Sequence, residues 1–207
     1  RENSNKEIYE KKILFKQNMN YVDLEILNNF LNDNIYKIEK LINDFVKKIF
    51  IIIDLDSFFT VDVSIKRESN ENSINLKYLL NEAKDGCKKT IDNKKIIHMV
   101  IKSYLINNVP HSTLPKDLVC QSFSLDIQFI CLSNIFVKNL EDILKRYQIS
   151  LGKILSAEYL YEFQLKDEND LFLTAKKIIE GHNSNEVVLV EKIPKKLDFF
   201  EKFFNFF

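Results

Sequence analysis

Apolar residues recur along the chain at two spacings, and the alternation between them divides it into elements. After a polar lead, Ile8 to Lys16 reads as a strand. Asp23 then caps a helical pattern in which Leu24, Leu27, Leu31, Ile35, Ile38, Ile42 and Phe45 return at steps of three and four, predicting one continuous buried stripe. The run Ile49 to Ile53 reads as a strand buried on both faces. Phe59, Val61, Val63 and Ile65 alternate with Thr60, Asp62 and Ser64 as in a half-buried strand. These two strands are expected to form a hairpin or an adjacent pair. A polar connector, Arg67 to Ser73, leads to a second helix whose inward face is Leu76, Leu79, Leu80, Ala83, Cys87 and Ile91.

Two further strands follow, Lys95 to Asn107 and Ser122 to Leu132. The loop between them holds Pro110 and Pro115, which cannot donate to a sheet ladder. In the second strand Phe123, Leu125, Ile127, Phe129 and Cys131 share one face. A third helix, Asn134 to Tyr147, buries Ile135 or Phe136 with Leu140, Ile143, Leu144 and Tyr147, and Ile149 to Ala157 forms a last strand. The expected class is α+β: a small mixed sheet covered by helices on one face, plus a C-terminal amphipathic helix on a linker. Residues 1–47 supply a strand and a long helix, and residues 48–165 the sheet-bearing body. In residues 166–181 a short helix runs from Asp170 to Glu180 and stops at Gly181; residues 182–194 read as the linker and 195–207 as the terminal helix.

Composition narrows the function. With 45% hydrophobic and 29% charged residues among 207, a globular core is expected. Thirty basic residues balance thirty acidic ones, so no global field exists to hold a nucleic-acid backbone, and no nucleic-acid partner is expected. Cys87, Cys120 and Cys131 are odd in number and lack C-x-x-C pairing, which argues for buried thiols in a reducing compartment. Only Gly86, Gly152 and Gly181 occur, far apart, so no phosphate-cradling glycine loop can be built. The longest purely apolar run, Ile49 to Ile53, is too short to cross a bilayer, and no signal peptide opens the chain. Together these predict a cytoplasmic body. The chain opens on Arg1 rather than Met, consistent with a processed or truncated form.

Catalytic chemistry has one foothold. Asp54 and Asp56 form a D-x-D at the end of an apolar strand, a pattern that can hold a divalent metal for phosphoryl transfer and that resembles the first metal motif of translesion DNA polymerases. No second acidic pair at a strand end accompanies it, and solvated turn carboxylates are the simpler reading. His98, His111 and His182 are scattered without ligand spacing; packing is expected for His98 and solvent for the other two. Lys84, Lys88, Lys89, Lys94 and Lys95 form a charge run. It reads as a solvated helix end, or as a patch for a partner or lipid headgroup. No catalytic residue, metal or cofactor is assigned.

The densest signal is the C-terminus. On a helix, Leu197, Phe199, Phe200, Phe203, Phe204, Phe206 and Phe207 fill one half, while Lys195, Asp198, Glu201, Lys202 and Asn205 fill the other; Lys196 alone falls on the apolar half. A core helix more often uses Leu, Ile and Ala, whereas aromatic density beside Lys195, Lys196 and Lys202 suits a bilayer interface. Packing back on the body and docking in a partner's groove are the alternatives. One such helix binds weakly and reversibly, so firm attachment needs several copies acting together.

In order along the chain, segments resemble the actin-like bacterial cell-division family FtsA, specifically its inserted subdomain and membrane-targeting tail. Asn20 to Asp23 with the helix after it is similar to the family's G-x-I-x-D-x-E start, and Lys48 to Ile53 to its V-x-V-x-I strand. His98 to Asn107 resembles H-V-I-P-x-x-Y-x-I-D, keeping His98, Tyr104 and Ile106. Leu125 to Ile130 stands where the family has its V-x-x-H-I-I-T strand, Asn139 to Arg146 resembles the N-L-x-x-x-V-x-R-A-G-L helix, and Ser156 to Glu158 resembles the A-S-A segment. The chain departs from the pattern at Ile101, Asn107, Asp117 and Cys120, and the D-I-G-G-G-T phosphate loop with the rest of the ATP-binding body is missing. The resemblance implies a non-enzymatic, membrane-tethered adaptor at the cytoplasmic face of the inner membrane at the division site. Inner-membrane lipids and divisome proteins such as FtsN-like tails are the implied partners, with possible self-association; loss of the body leaves FtsZ contact in question. The rival functions are a metal-dependent nucleotidyl enzyme using Asp54 and Asp56, and a soluble interaction domain whose Phe-rich tail docks in a partner.

Overall fold

In chain order the computed structural model contains α1 (Leu24–Ile42), β1 (Lys48–Ile53), β2 (Phe59–Glu68), α2 (Leu76–Thr90), β3 (Lys94–Ile106), β4 (Val109–His111), β5 (Ser122–Ser133), α3 (Asn134–Arg146), β6 (Ser150–Ser156), α4 (Ala157–Phe163) and α5 (Leu171–Ile179). The residues described are 9–12, 23–54, 58–68, 75–115, 121–164 and 170–188. The class is the expected α+β, with the sheet divided in two: an antiparallel sheet in the order β2-β5-β3-β4, and a parallel pair, β1 with β6.

The antiparallel sheet follows from alternation. On β5, Phe123, Leu125, Ile127, Phe129 and Cys131 all point to one face, as expected, and meet Leu79, Leu80, Ala83 and Cys87 of α2. The α2 helix starts at Asn75, whose side chain accepts the Tyr78 amide at 3.0 Å. Behind the opposite face, Val100 and Ile130 pack on Leu155, Leu160, Ala175 and Ile178 from β6, α4 and α5.

The parallel pair is built from two helix-to-strand units. Asp23 caps α1 by accepting the Glu25 amide at 2.9 Å, and α1 ends at left-handed Asn43 (φ 53°) before β1. Likewise α3 ends near left-handed Gln148 (φ 61°) before β6. Leu31 of α1 packs with Ile143 and Leu144 of α3 and Ile149, and half-buried Ile35, Ile49 and Leu151 close that cluster. Gly152 is required where the strands approach: a Cβ there would stand 2.9 Å from the Ile49 carbonyl oxygen and 3.0 Å from the Phe50 ring.

Several expectations are corrected. The Ile49 to Ile53 run is covered on both faces only toward its end: Ile49 and Ile51 are half-buried and Ile53 buried on the side of α1 and α3, Ile52 is half-buried against the α4 and α5 cluster, and Lys48 and Phe50 are exposed. Nor does β1 pair with β2: β1 takes β6 and β2 takes β5. The α1 stripe stops short, with Ile42 and Phe45 exposed, since the helix ends before Phe45 can reach the cluster. Pro110 lies in β4 opposite Leu105 rather than in a loop; β4 is an edge strand, where a missing donor breaks no ladder. Within the expected strand Ile8 to Lys16, residues Tyr9 to Lys12 adopt neither helix nor strand, and the rest lies outside the described residues. Of Ile135 and Phe136 it is Phe136 that packs inward, half-buried, while Ile135 is exposed, and Val137 joins it in the core. The seven-residue α4 follows β6 directly and is too short to show a period in the sequence.

Candidate functional site: the anchor of the C-terminal segment

The residues that lead toward the Phe-rich terminus do not form a linker where they are described. Gly181 (φ 84°) ends α5 in a Schellman turn, its amide bonding the Ile178 carbonyl at 2.9 Å and the His182 amide bonding the Lys177 carbonyl at 3.0 Å. Asn183 then makes an Asx turn, its Oδ1 accepting the Asn185 amide at 3.0 Å. This delivers residues 185–187 to the edge of β3. There the Ile101 amide bonds the Asn185 carbonyl at 2.8 Å and the Val187 amide bonds the Met99 carbonyl at 2.9 Å, an antiparallel bridge centred on Val100 and Glu186. Val187 and Val188 pack against the cluster under α2, and Asn185 Nδ2 donates to the Ser112 carbonyl at 3.1 Å.

Glu186 turns this strap into a lock. Its side chain is buried beside His98, with Oε2 3.1 Å from Nδ1. Oε1 accepts the Val188 amide at 2.9 Å and the Met99 amide at 3.4 Å. The Ser156 amide donates to His98 Nε2 at 2.9 Å, so the ring proton sits on Nδ1 and is donated to the carboxylate. Tyr159 stacks at a tilt on His98, ring centroids 4.5 Å apart, hydrogen-bonds Glu186, and accepts Asn183 Nδ2 at 2.7 Å. Burial pushes the Tyr159 phenol up, with the Glu186 charge acting in the same sense. A buried carboxylate surrounded by donors is satisfied, and the network joins β3, the start of α4 and the strap.

Ser156, His98 and Glu186 have the composition of a hydrolytic triad without its geometry. Nε2 is occupied by the Ser156 backbone, and Ser156 Oγ accepts the Tyr159 amide at 3.4 Å as the α4 cap. These groups hold the fold together at this point rather than present a nucleophile.

Other candidate residues are dispersed. Asp54 is exposed just past β1, and Asp56 lies outside the described residues. Among the described residues no group of three or more His, Cys, Asp or Glu side chains is arranged to hold a metal. His98 packs, as expected; His182 is exposed, while His111 is half-buried in β4 rather than solvated. Cys87 and Cys131 are buried and adjacent, both thiols pushed up by burial, Cys131 to about 12; Cys120 lies outside the described residues. In the lysine run, Lys88 pairs with Asp85 at 3.8 Å and Lys95 with Glu141 at 3.4 Å, both exposed. The bilayer-facing set, Leu197, Phe199, Phe200, Phe203, Phe204, Phe206 and Phe207 with Lys195, Lys196 and Lys202, lies outside the described residues. No helix among the described residues is long and apolar enough to cross a membrane.

Sequence reasoning passed over Glu186. Its signal was one acidic residue opening the apolar run Val187 to Val190, a strand-like string inside what read as linker. No protein-family model and no curated protein matches the chain.

Proposed function

We propose that the chain is a membrane-tethered adaptor of bacterial cell division, akin to the FtsA inserted subdomain joined to its targeting tail. In this reading Leu197, Phe199, Phe200, Phe203, Phe204, Phe206 and Phe207 enter the bilayer interface while Lys195, Lys196 and Lys202 meet anionic headgroups. The α+β body then displays its surfaces to division proteins at the cytoplasmic face of the inner membrane.

The observation that carries the reading is the strap. A tether is useful only if its root is fixed, and residues 183–188, a few positions before the amphipathic stretch, are fastened to β3 by backbone pairing and the buried Glu186–His98 lock. Tension on the terminus is thereby passed to the central sheet.

Co-sedimentation with vesicles containing phosphatidylglycerol tests it. The full chain pellets and a chain ending at Pro194 stays in the supernatant; a truncated chain that pellets equally well, or a full chain that never does, overturns the proposal. A fluorescent fusion in a dividing bacterium collects at midcell if the division role holds. Uniform membrane staining retains the tether and removes the division role.

A further inference from the structure

The two edges of the antiparallel sheet are finished differently. The β3 edge carries the three-residue β4, which contains Pro110, and the strap at Val100. At the opposite edge, β2 runs from Phe59 to Glu68 in unbroken register with β5, without a bulge or a proline. Among the described residues no strand pairs with its outer side. Short strands, bulges and prolines are the usual devices that keep a sheet edge from taking another strand, and β2 has none of them.

The ladder determines which backbone groups of β2 point outward. The Ile101 amide and the Met99 carbonyl bond the strap, so Val100 between them turns its own groups toward Gln128 of β5. The Asn107 amide likewise bonds the Ser122 carbonyl at 2.8 Å. Even-numbered residues of β5 therefore face β3, and odd-numbered ones face β2. Carried across the register, Val61, Val63 and Ile65 bond β5, while Thr60, Asp62, Ser64 and Lys66 offer their amides and carbonyls to the open edge. The Lys66 carbonyl accepts Arg67 Nη1 at 2.9 Å, a side-chain donor in place of a strand, and retains a second lone pair.

The side chains select the strand that fits. When β2 pairs antiparallel with a second copy, outward-facing residues must lie opposite one another, so the twofold axis falls on a residue of the strand. An axis at Asp62 or at Lys66 sets a charge against its own copy, and one at Ile65 sets Asp62 against Glu68. An axis at Val63 leaves Asp62 opposite Ser64 and Lys66 opposite Thr60. Only an axis at Ser64 places Asp62 opposite Lys66 of the second copy, twice over, with Val63 opposite Ile65 on the other face. Asp62 and Lys66 are exposed, lie across from Gln128 and Ser124 of β5, and have no ion-pair partner among the described residues. Charges on an edge deter an arbitrary strand; opposite charges spaced evenly about Ser64 favour this chain's own.

We infer that β2 is a dimerisation edge: two copies pair antiparallel through β2 about a twofold axis at Ser64, with Asp62 against Lys66 on both sides, and join their antiparallel sheets into one. The inference goes beyond the tethered-adaptor reading and does not depend on it. Where both hold, each dimer carries two amphipathic tails, the multivalency that one weakly binding helix lacks.

Sedimentation equilibrium of the full chain, without lipid and over a range of concentrations, tests it. A monomer–dimer equilibrium is expected. Asp62→Lys alone and Lys66→Asp alone each oppose like charges at both sites and raise the dissociation constant of the dimer about tenfold. The double variant Asp62→Lys/Lys66→Asp opposes unlike charges again and restores the parent value, which neither a folding defect nor a change in net charge accounts for. A chain that is monomeric at every concentration overturns the inference. So does a dimer that the single variants leave unweakened or the double variant fails to restore. A dimer abolished by Phe200→Ser/Phe203→Ser assigns self-association to the tail, and a mass that climbs past the dimer assigns it to an open-ended contact; both overturn the β2 edge.

Discussion

The two faces of β3 are closed by different means. Toward α2, Met99, Ile101, Tyr104 and Ile106 enter a cluster of Leu, Ile and Phe side chains whose requirement is shape. On the other side, His98 meets Ser156, Tyr159 and Glu186, each polar atom answering a particular partner. The first kind of packing tolerates substitution of similar volume; the second tolerates almost none, because every donor around Glu186 expects an acceptor. Each face has its own apolar cluster, and the C-terminal segment is held at both, by Val187 and Val188 against the α2 side and by Glu186 in the polar network on the other.

The sharpest test sets the two faces against each other. Glu186→Ala strands the His98 Nδ1–H and the Met99 and Val188 amides; a loss of about 3 to 5 kcal/mol in urea unfolding is expected. Phe129→Ala on the apolar face has a similar cost through its cavity. The conservative changes separate them. Phe129→Leu costs about 1 kcal/mol, whereas Glu186→Gln, which aims an NH2 among donors, costs about 2 to 3 kcal/mol. Equal costs for the two conservative variants remove the distinction between the faces.

A smaller effect probes the parallel pair. Gly152→Ala forces a Cβ against the Ile49 carbonyl and the Phe50 ring, and a loss of about 1 to 2 kcal/mol is expected; an unchanged midpoint means that β1 and β6 separate easily. Tyr104→Phe reports the reverse on the apolar face. The Tyr104 hydroxyl is buried without a hydrogen-bond partner among the described residues, so its removal is neutral or stabilising by about 1 kcal/mol. A marked loss reveals a partner for that oxygen.

The smallest effect is a pH dependence with a definite sign. Burial pushes the Tyr104 phenol from 10.0 to about 12, and burial followed by the neighbouring Cys87 pushes the Cys131 thiol from 9.0 to about 12. In the unfolded chain these groups release their protons near the lower values; in the fold they keep them until about 12. The unfolded state therefore binds fewer protons in that window. Their contribution is complete below pH 9.0 and is lost as pH rises toward 12. Urea midpoints fall between about pH 8 and about pH 10.5, and Cys131→Ala/Tyr104→Phe shows a shallower fall; a midpoint that rises contradicts the burial of these groups.

The same contrast explains what could be read from the sequence. Alternation on β5 and the apolar steps of α2 reflect burial against one uniform surface, so Phe129, Leu125, Leu80 and Cys87 were placed from spacing alone. The cap at Asp23, the start of a helix at Asp170 and the stop at Gly181 are local chemistry and equally legible. The pairing of β1 with β6 was not, because nothing near Ile49 to Ile53 encodes a partner about a hundred residues away. His98 was expected to pack, but its lock with Glu186 depends on a chain reversal at Gly181 and Asn183 that brings together residues 88 apart. Polar networks carry no period, and an isolated glutamate in a stretch rich in Asn and Ser reads as loop until its partner is known.

Hydrogen exchange on the full chain bound to phosphatidylglycerol-containing vesicles tests the central claim most directly, that a folded body is held at a bilayer by a terminus whose root is locked to β3. The amides of Ile101, Val187 and Val188 remain protected in the vesicle-bound chain and lose that protection in Glu186→Ala, which still binds. Fast exchange at these amides in the bound parent chain, or no binding of the parent chain at all, contradicts it.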